Sequence, residues 1–230
     1  MTEFYFLSTA AFIGLILWGL AAQKHVASVY QKYSTMKLKK GVTGTAVAKA
    51  MLQDAGVEGI TFEDARGTLA DHYDPRARVI RLSKDVAKGT SIAAVGIAAH
   101  EAAHAIQDEA GYAPAQFRDR MAPVMQKATV VVLPLLILGL LLGGIIGSTF
   151  FVDLAVLIFL GIALFYVVTL PVEYNATGRA ILYIREHKIA DPAELEGVRT
   201  VLRAAGLTYV IAAALAITQF LRILTFYARR

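Results

Sequence analysis

Four stretches of this chain carry no charged side chain: residues 4–23 (20 residues), 128–152 (25), 154–172 (19) and 204–221 (18). A helix needs roughly 20 apolar residues to cross about 30 Å of hydrocarbon. Inside lipid every backbone N–H and C=O must be satisfied within the protein, which restricts such runs to helices or a closed barrel. Four transmembrane helices are therefore expected, with the second and third joined as a tight hairpin around Asp153. The first run lacks a basic leader, Glu3 being the only charge ahead of it, so it reads as a retained anchor. Phe4, Tyr5, Phe6 and Trp18 fall near its ends, where interfacial aromatics are expected.

Composition narrows the class further. Hydrophobic residues make up 57% and charged residues 18%, against about 45–50% and about 25% in soluble domains. Disorder is excluded by the same numbers. With no Cys, a disulfide framework, a thiol nucleophile and a thiolate metal site are excluded as well. The net charge of +5 points to a lipid bilayer and not to nucleic acid, given the hydropathy. Lys24, Lys32, Lys37, Lys39 and Lys40 follow the first run; Lys127 precedes the second; Arg179, Arg185 and Lys188 follow the third. Four crossings put all of these on one face, which the positive-inside rule makes cytoplasmic. Arg229 and Arg230 then lie outside, a mild violation of that rule.

Residues 24–127 are long enough for a compact cytoplasmic domain. A helix is expected over 45–55, with Gly56 as its stop, and short strands over 59–62 and 78–82. Asp74-Pro75 marks a turn, and a longer helix runs over 91–108 with Ser91 as N-cap. Residues 173–203 read as a cytoplasmic helical segment interrupted at Asp191-Pro192. The domain organisation is thus 4–23, 24–127, 128–152, 154–172, 173–203 and 204–221.

The chemistry is concentrated on the 91–108 helix, in Ala99-His100-Glu101-Ala102-Ala103-His104-Ala105. Two His residues four apart share one helical face, so both imidazoles can reach one metal ion, while Glu101 is placed for a water on that ion. With 5 His and 9 Glu among 230 residues, chance placement gives about 0.004 occurrences of this pattern. Burying two His and a Glu without partners would be costly on so apolar a helix. Zinc suits a His-His-carboxylate set with a fourth position open to water. The third ligand is sought among Glu173, Glu109, Asp108, His72 and His187. Glu109 points away from a metal held by the His pair, and Asp108 sits a turn too far along. Glu173 stands where the third crossing reaches the face that carries the His pair.

The run from His100 to Gln107, the upstream Asp71-His72-Tyr73-Asp74-Pro75 and the downstream Leu170-Pro171-Val172-Glu173-Tyr174-Asn175-Ala176 resemble the neutral zinc metallopeptidases of the bacterial YugP type. The resemblance covers most of the chain. It implies a mainly α, polytopic protein of a bacterial-type plasma membrane, bearing a cytoplasmic α+β zincin-like domain and one Zn2+ per chain. The metal ligands would be His100, His104 and Glu173, and the substrate a peptide or membrane protein. More distantly the layout is similar to HtpX- and CAAX-type membrane peptidases, whose third ligand lies in a Glu-x-x-x-Asp element. Here Thr177 stands at the Asp position; it can hydrogen-bond but supplies no charge.

The expected mechanism has Glu101 accept a proton from the attacking water and return it to the leaving amine. The tetrahedral oxyanion needs one further donor, for which His72, Tyr73 and Arg179 are candidates. The 78–82 strand is a candidate to align substrate as an added strand. Two other classes differ in their requirements. A catalytically silent zinc scaffold would have no use for Glu101 and would close its site with four protein ligands. A transporter would place ionisable groups within the spans, and these have almost none.

Overall fold

The computed structural model describes residues 2–67, 70–146 and 148–227. Four of its helices are long and apolar enough to cross a membrane: α1 (Thr2–Ser34), α5 (Ala113–Ile146), α6 (Phe150–Glu186) and α7 (Pro192–Tyr227). Between α1 and α5 lie α2 (Gly44–Asp54), β1 (Thr61–Asp64), β2 (His72–Asp74), β3 (Val79–Leu82), α3 (Lys84–Ala87) and α4 (Ile92–Glu109). The chain divides into two units, one built from 1–21, 117–170 and 208–230, the other from 22–116 and 171–207. Arg229 and Arg230, and the side chains of Phe4 and Tyr5, fall outside the described residues.

In the first unit Val132, Ala155 and Ile162 form a buried cluster with Leu135, Leu136 and Phe159 around it. A Cβ on Gly139 would lie 2.7 Å from the Val152 backbone nitrogen, so this glycine permits the close approach of α5 and α6. Large apolar side chains face outward, among them Val130, Leu141, Ile145 and Leu157. Such a surface suits hydrocarbon far better than water.

The hairpin turn differs from its expected place. The break falls between Ile146 and Phe150, not at Asp153. Asp153 sits in the first turn of α6, where the Thr149 hydroxyl donates to its carboxylate at 3.0 Å and the helix dipole favours an acid. Gly143, Gly144 and Gly147 punctuate the apolar run, whereas a charge by itself breaks nothing.

The second unit is organised around α4. Ala93, Ala98, Ala99, Ala102 and Ala103 are fully buried, which only side chains this small allow on a helix enclosed on most sides. Ser91 caps α4, its Oγ accepting from the Ala94 N–H at 3.1 Å, and Thr43 caps α2 in the same way. Val47, Ala48, Met51 and Leu52 of α2 pack in one core with Ile80, Leu82, Val95, Ile184 and Val198. At the start of α7, the Asp191 carboxylate accepts from the Glu194 N–H while the Glu194 carboxylate accepts from the Asp191 N–H, both at 2.8 Å. With Pro192 as the first helical residue this is a complete capping box.

The sheet has strand order β1-β3-β2, β1 parallel and β2 antiparallel to β3. The 78–82 strand expected to recruit substrate is therefore the central strand, hydrogen-bonded on both sides, and cannot accept another; the edges belong to β1 and β2. The strand β2 was not anticipated. It ends at Asp74, whose Oδ1 accepts from the Arg76 and Ala77 N–H groups, and Arg78 completes the turn at φ 53°.

Candidate metal centre

Helix α4 presents His100 and His104 one turn apart, with ring centroids 4.7 Å apart and planes at 84°. Glu173 on α6 meets them. Its Oε2 lies 3.3 Å from His100 Nε2 and 3.7 Å from His104 Nε2. One ligand atom from each of the three residues falls within a 4.8 Å cluster. These residues could hold a metal ion, and the donor set fits zinc: two imidazole nitrogens and one carboxylate oxygen, with a fourth position left over. The cluster is largely buried, the three side chains being 14%, 8% and 8% exposed.

The ring nitrogens that face away from Glu173 have partners of their own. His104 Nδ1 is 2.9 Å from Gln107 Oε1, and His100 Nδ1 is 3.4 Å from Thr177 Oγ1. Thr177 thus supports His100 through a hydroxyl, without the charge an acid would bring. Outer partners of this kind orient metal-binding imidazoles.

Glu101 belongs to the same helix but not to the three-residue cluster. It is 8% exposed, and its Oε2 accepts the Tyr73 backbone N–H at 3.0 Å. Edge strand β2 therefore pins one carboxylate oxygen. Asp71, just upstream, accepts from the Ser83 N–H at 2.7 Å. Burial pushes its carboxyl above the ordinary value against the pull of that bond, and the charge of Glu101 adds to the rise.

The other residues singled out as third-ligand candidates are engaged elsewhere. Asp108 accepts from the Tyr73 hydroxyl at 2.8 Å, Glu109 pairs with Arg78 at 2.8 Å, and His187 pairs with Asp54 at 3.2 Å. His72 contacts the Ala70 carbonyl and Arg81. Among the donors considered for the oxyanion, Arg179 gives its Nε–H to Asn175 at 2.8 Å. Gln107 and Asn175 had no assigned part. Gln107 lies at i+3 from His104, a spacing that places both on one face and could have pointed to it.

The profile of a family described as "Putative neutral zinc metallopeptidase" matches residues 8–228. The chain is 41% identical over 219 residues, 95% of its own length and 94% of the relative's, to the "Putative membrane protease YugP" of Bacillus subtilis (strain 168). No solved structure matches it. A family match over nearly the whole chain, together with a buried His-His-Glu cluster on the helix that carries the motif, makes this protein a member of that zinc metallopeptidase family.

Proposed function

We propose that the protein is a zinc-dependent endopeptidase of a bacterial-type plasma membrane, with one zinc per chain held by His100, His104 and Glu173 at the cytoplasmic face. The observation that carries the reading is the convergence of Glu173 Oε2 on both Nε2 atoms from a helix 73 residues away in sequence. Three protein ligands leave a coordination position for water, whereas a structural zinc site is closed by four. Zinc bound there supplies Lewis acidity toward a water and a substrate carbonyl.

The remaining steps belong to the chain. Glu101, anchored through one oxygen by the Tyr73 N–H, takes the proton of the attacking water and hands it to the leaving amine. His100 and His104 would bind through Nε2, their outward nitrogens held by Thr177 and Gln107. The orientation rests on the basic residues flanking the first three spans. The test of the ligand set is metal analysis of purified protein beside Glu173→Ala. About one zinc per chain is expected in the parent and little in the variant; unchanged zinc in the variant would remove Glu173 from the site.

A further inference from the structure

We infer that Gln107 is a positioning residue that fixes His104 in the tautomer able to bind metal through Nε2, and that Asn175 and Arg179 hold Gln107 in the orientation this requires. The inference rests on the reading of His104 as a ligand.

A neutral imidazole carries one N–H and one lone pair, and the bond made by one nitrogen decides which lone pair is left for a metal. The assignment can be made from groups whose roles are unambiguous. The Val172 backbone carbonyl only accepts, so the Gln107 amide atom 2.9 Å from it is the NH2 group. The Arg179 Nε–H only donates, so the Asn175 atom 2.8 Å from it is Oδ1. That same Oδ1 lies 2.9 Å from the Gln107 NH2, and the two constraints agree. The other end of Gln107 is then an oxygen that can only accept, and it lies 2.9 Å from His104 Nδ1. Nδ1 must carry the proton. In the neutral ring the lone pair is then on Nε2, the nitrogen that faces Glu173.

Burial makes the arrangement rigid. Gln107 is fully buried, so reversing its amide would set its oxygen against two acceptors away from bulk solvent, and buried polar groups left unpaired in this way are strongly disfavoured. Thr177 does not do the same for His100, since a hydroxyl can either donate or accept. The stretch of α6 that supplies Glu173 also supplies Val172, Asn175 and Arg179. Ligand and orienting groups are therefore set by one helical turn and its neighbour.

The test uses the full-length protein in detergent, stripped of metal with a chelator. In protein labelled with 15N-histidine, the His104 signal, assigned by its loss in His104→Gln, should report a protonated Nδ1. A bare Nδ1 overturns the inference, and this measurement needs no substitution at Gln107. Zinc affinity, read by competition with a fluorescent chelator, should fall about 10–100-fold in Gln107→Met. Gln107→Glu keeps an oxygen that accepts from Nδ1 but sets its second oxygen against the Val172 carbonyl and Asn175 Oδ1, so it should bind more tightly than Gln107→Met and less tightly than the parent. Equal affinity in parent and Gln107→Met, or equal losses in both variants, would reduce Gln107 to packing. A parent that binds no zinc while its His104 shows the expected tautomer would sink the metal reading and leave the hydrogen-bond relay standing.

Discussion

Replacing Glu101 with Gln takes away a base while keeping a hydrogen-bond acceptor of the same shape. The side chain is 8% exposed and receives the Tyr73 N–H at 3.0 Å; an amide oxygen can still receive it. Exchanging a charge-assisted bond for a neutral one costs about 1 kcal/mol of stability. A positioned general base contributes about 10²–10⁴-fold in rate, or about 2.7–5.4 kcal/mol at 1.36 kcal/mol per decade. The rate effect outweighs the stability effect several-fold, so Glu101→Gln should fold, bind zinc and fail to turn over. Glu101→Ala is a poorer probe, because it strands the Tyr73 N–H in a buried position at about 1–3 kcal/mol. The assay is cleavage of an unfolded protein substrate in detergent, with zinc measured on the same sample. Turnover within tenfold of the parent at full zinc content would refute the role of Glu101, and loss of zinc from the variant would recast it as a ligand.

Two further outcomes are expected. Thr177→Val removes the hydroxyl 3.4 Å from His100 Nδ1 and should weaken zinc binding about tenfold, the low end for such outer partners because the contact is long; Thr177→Asp should bind at least as tightly as the parent, and a tight Val variant beside a weak Asp variant would contradict the reading. A cysteine placed at exposed Glu58, in a chain that has none of its own, should react with an impermeant maleimide only in inverted vesicles, and labelling of intact cells would reverse the orientation.

The membrane helices were legible because hydrocarbon tolerates so few charges, and the His pair because a spacing of four always faces one way. Helix ends were less legible. Charge-free runs placed a boundary at Asp153, whereas α5 ends at Ile146 and α6 begins at Phe150, with Asp153 inside its first turn. The three-residue strand β2 was hidden by the turn signal of Asp74-Pro75, which is its last residue and the start of its exit. Glu173 was reached from sequence through an expected topology, in which four crossings would return it to the face of the His pair, and through the resemblance of the residues around it. Gln107 and Asn175 could not be joined in that way. Their bond spans 68 positions and depends on how α4 packs against α6, which no local pattern encodes.

The packing of α4 against α2, α3 and α7 makes a prediction of its own through two glycines. A Cβ on Gly44 would lie 2.3 Å from the Val86 carbonyl oxygen and 3.0 Å from both the Ala94 carbonyl oxygen and the Ala98 Cβ. The first two obstacles are backbone, held by α3 and α4, and neither can rotate aside. A Cβ on Gly96 would meet Val198 Cγ1 at 3.1 Å, a methyl group that can yield by a few tenths of an ångström. Replacing a mid-helix Gly by Ala returns about 1 kcal/mol of propensity, which roughly offsets that crowding. Overpacking against rigid neighbours costs about 1–3 kcal/mol or more, and at about 2–4 °C per kcal/mol for a chain of this size Gly44→Ala should lower the melting temperature by about 5–10 °C while Gly96→Ala leaves it nearly unchanged. Because α4 carries both imidazoles, the zinc affinity of Gly44→Ala should fall along with its stability. Equal melting temperatures for the two variants would mean that α2 and α4 do not approach as closely as Gly44 implies, and the platform beneath the His pair would then have to be built differently.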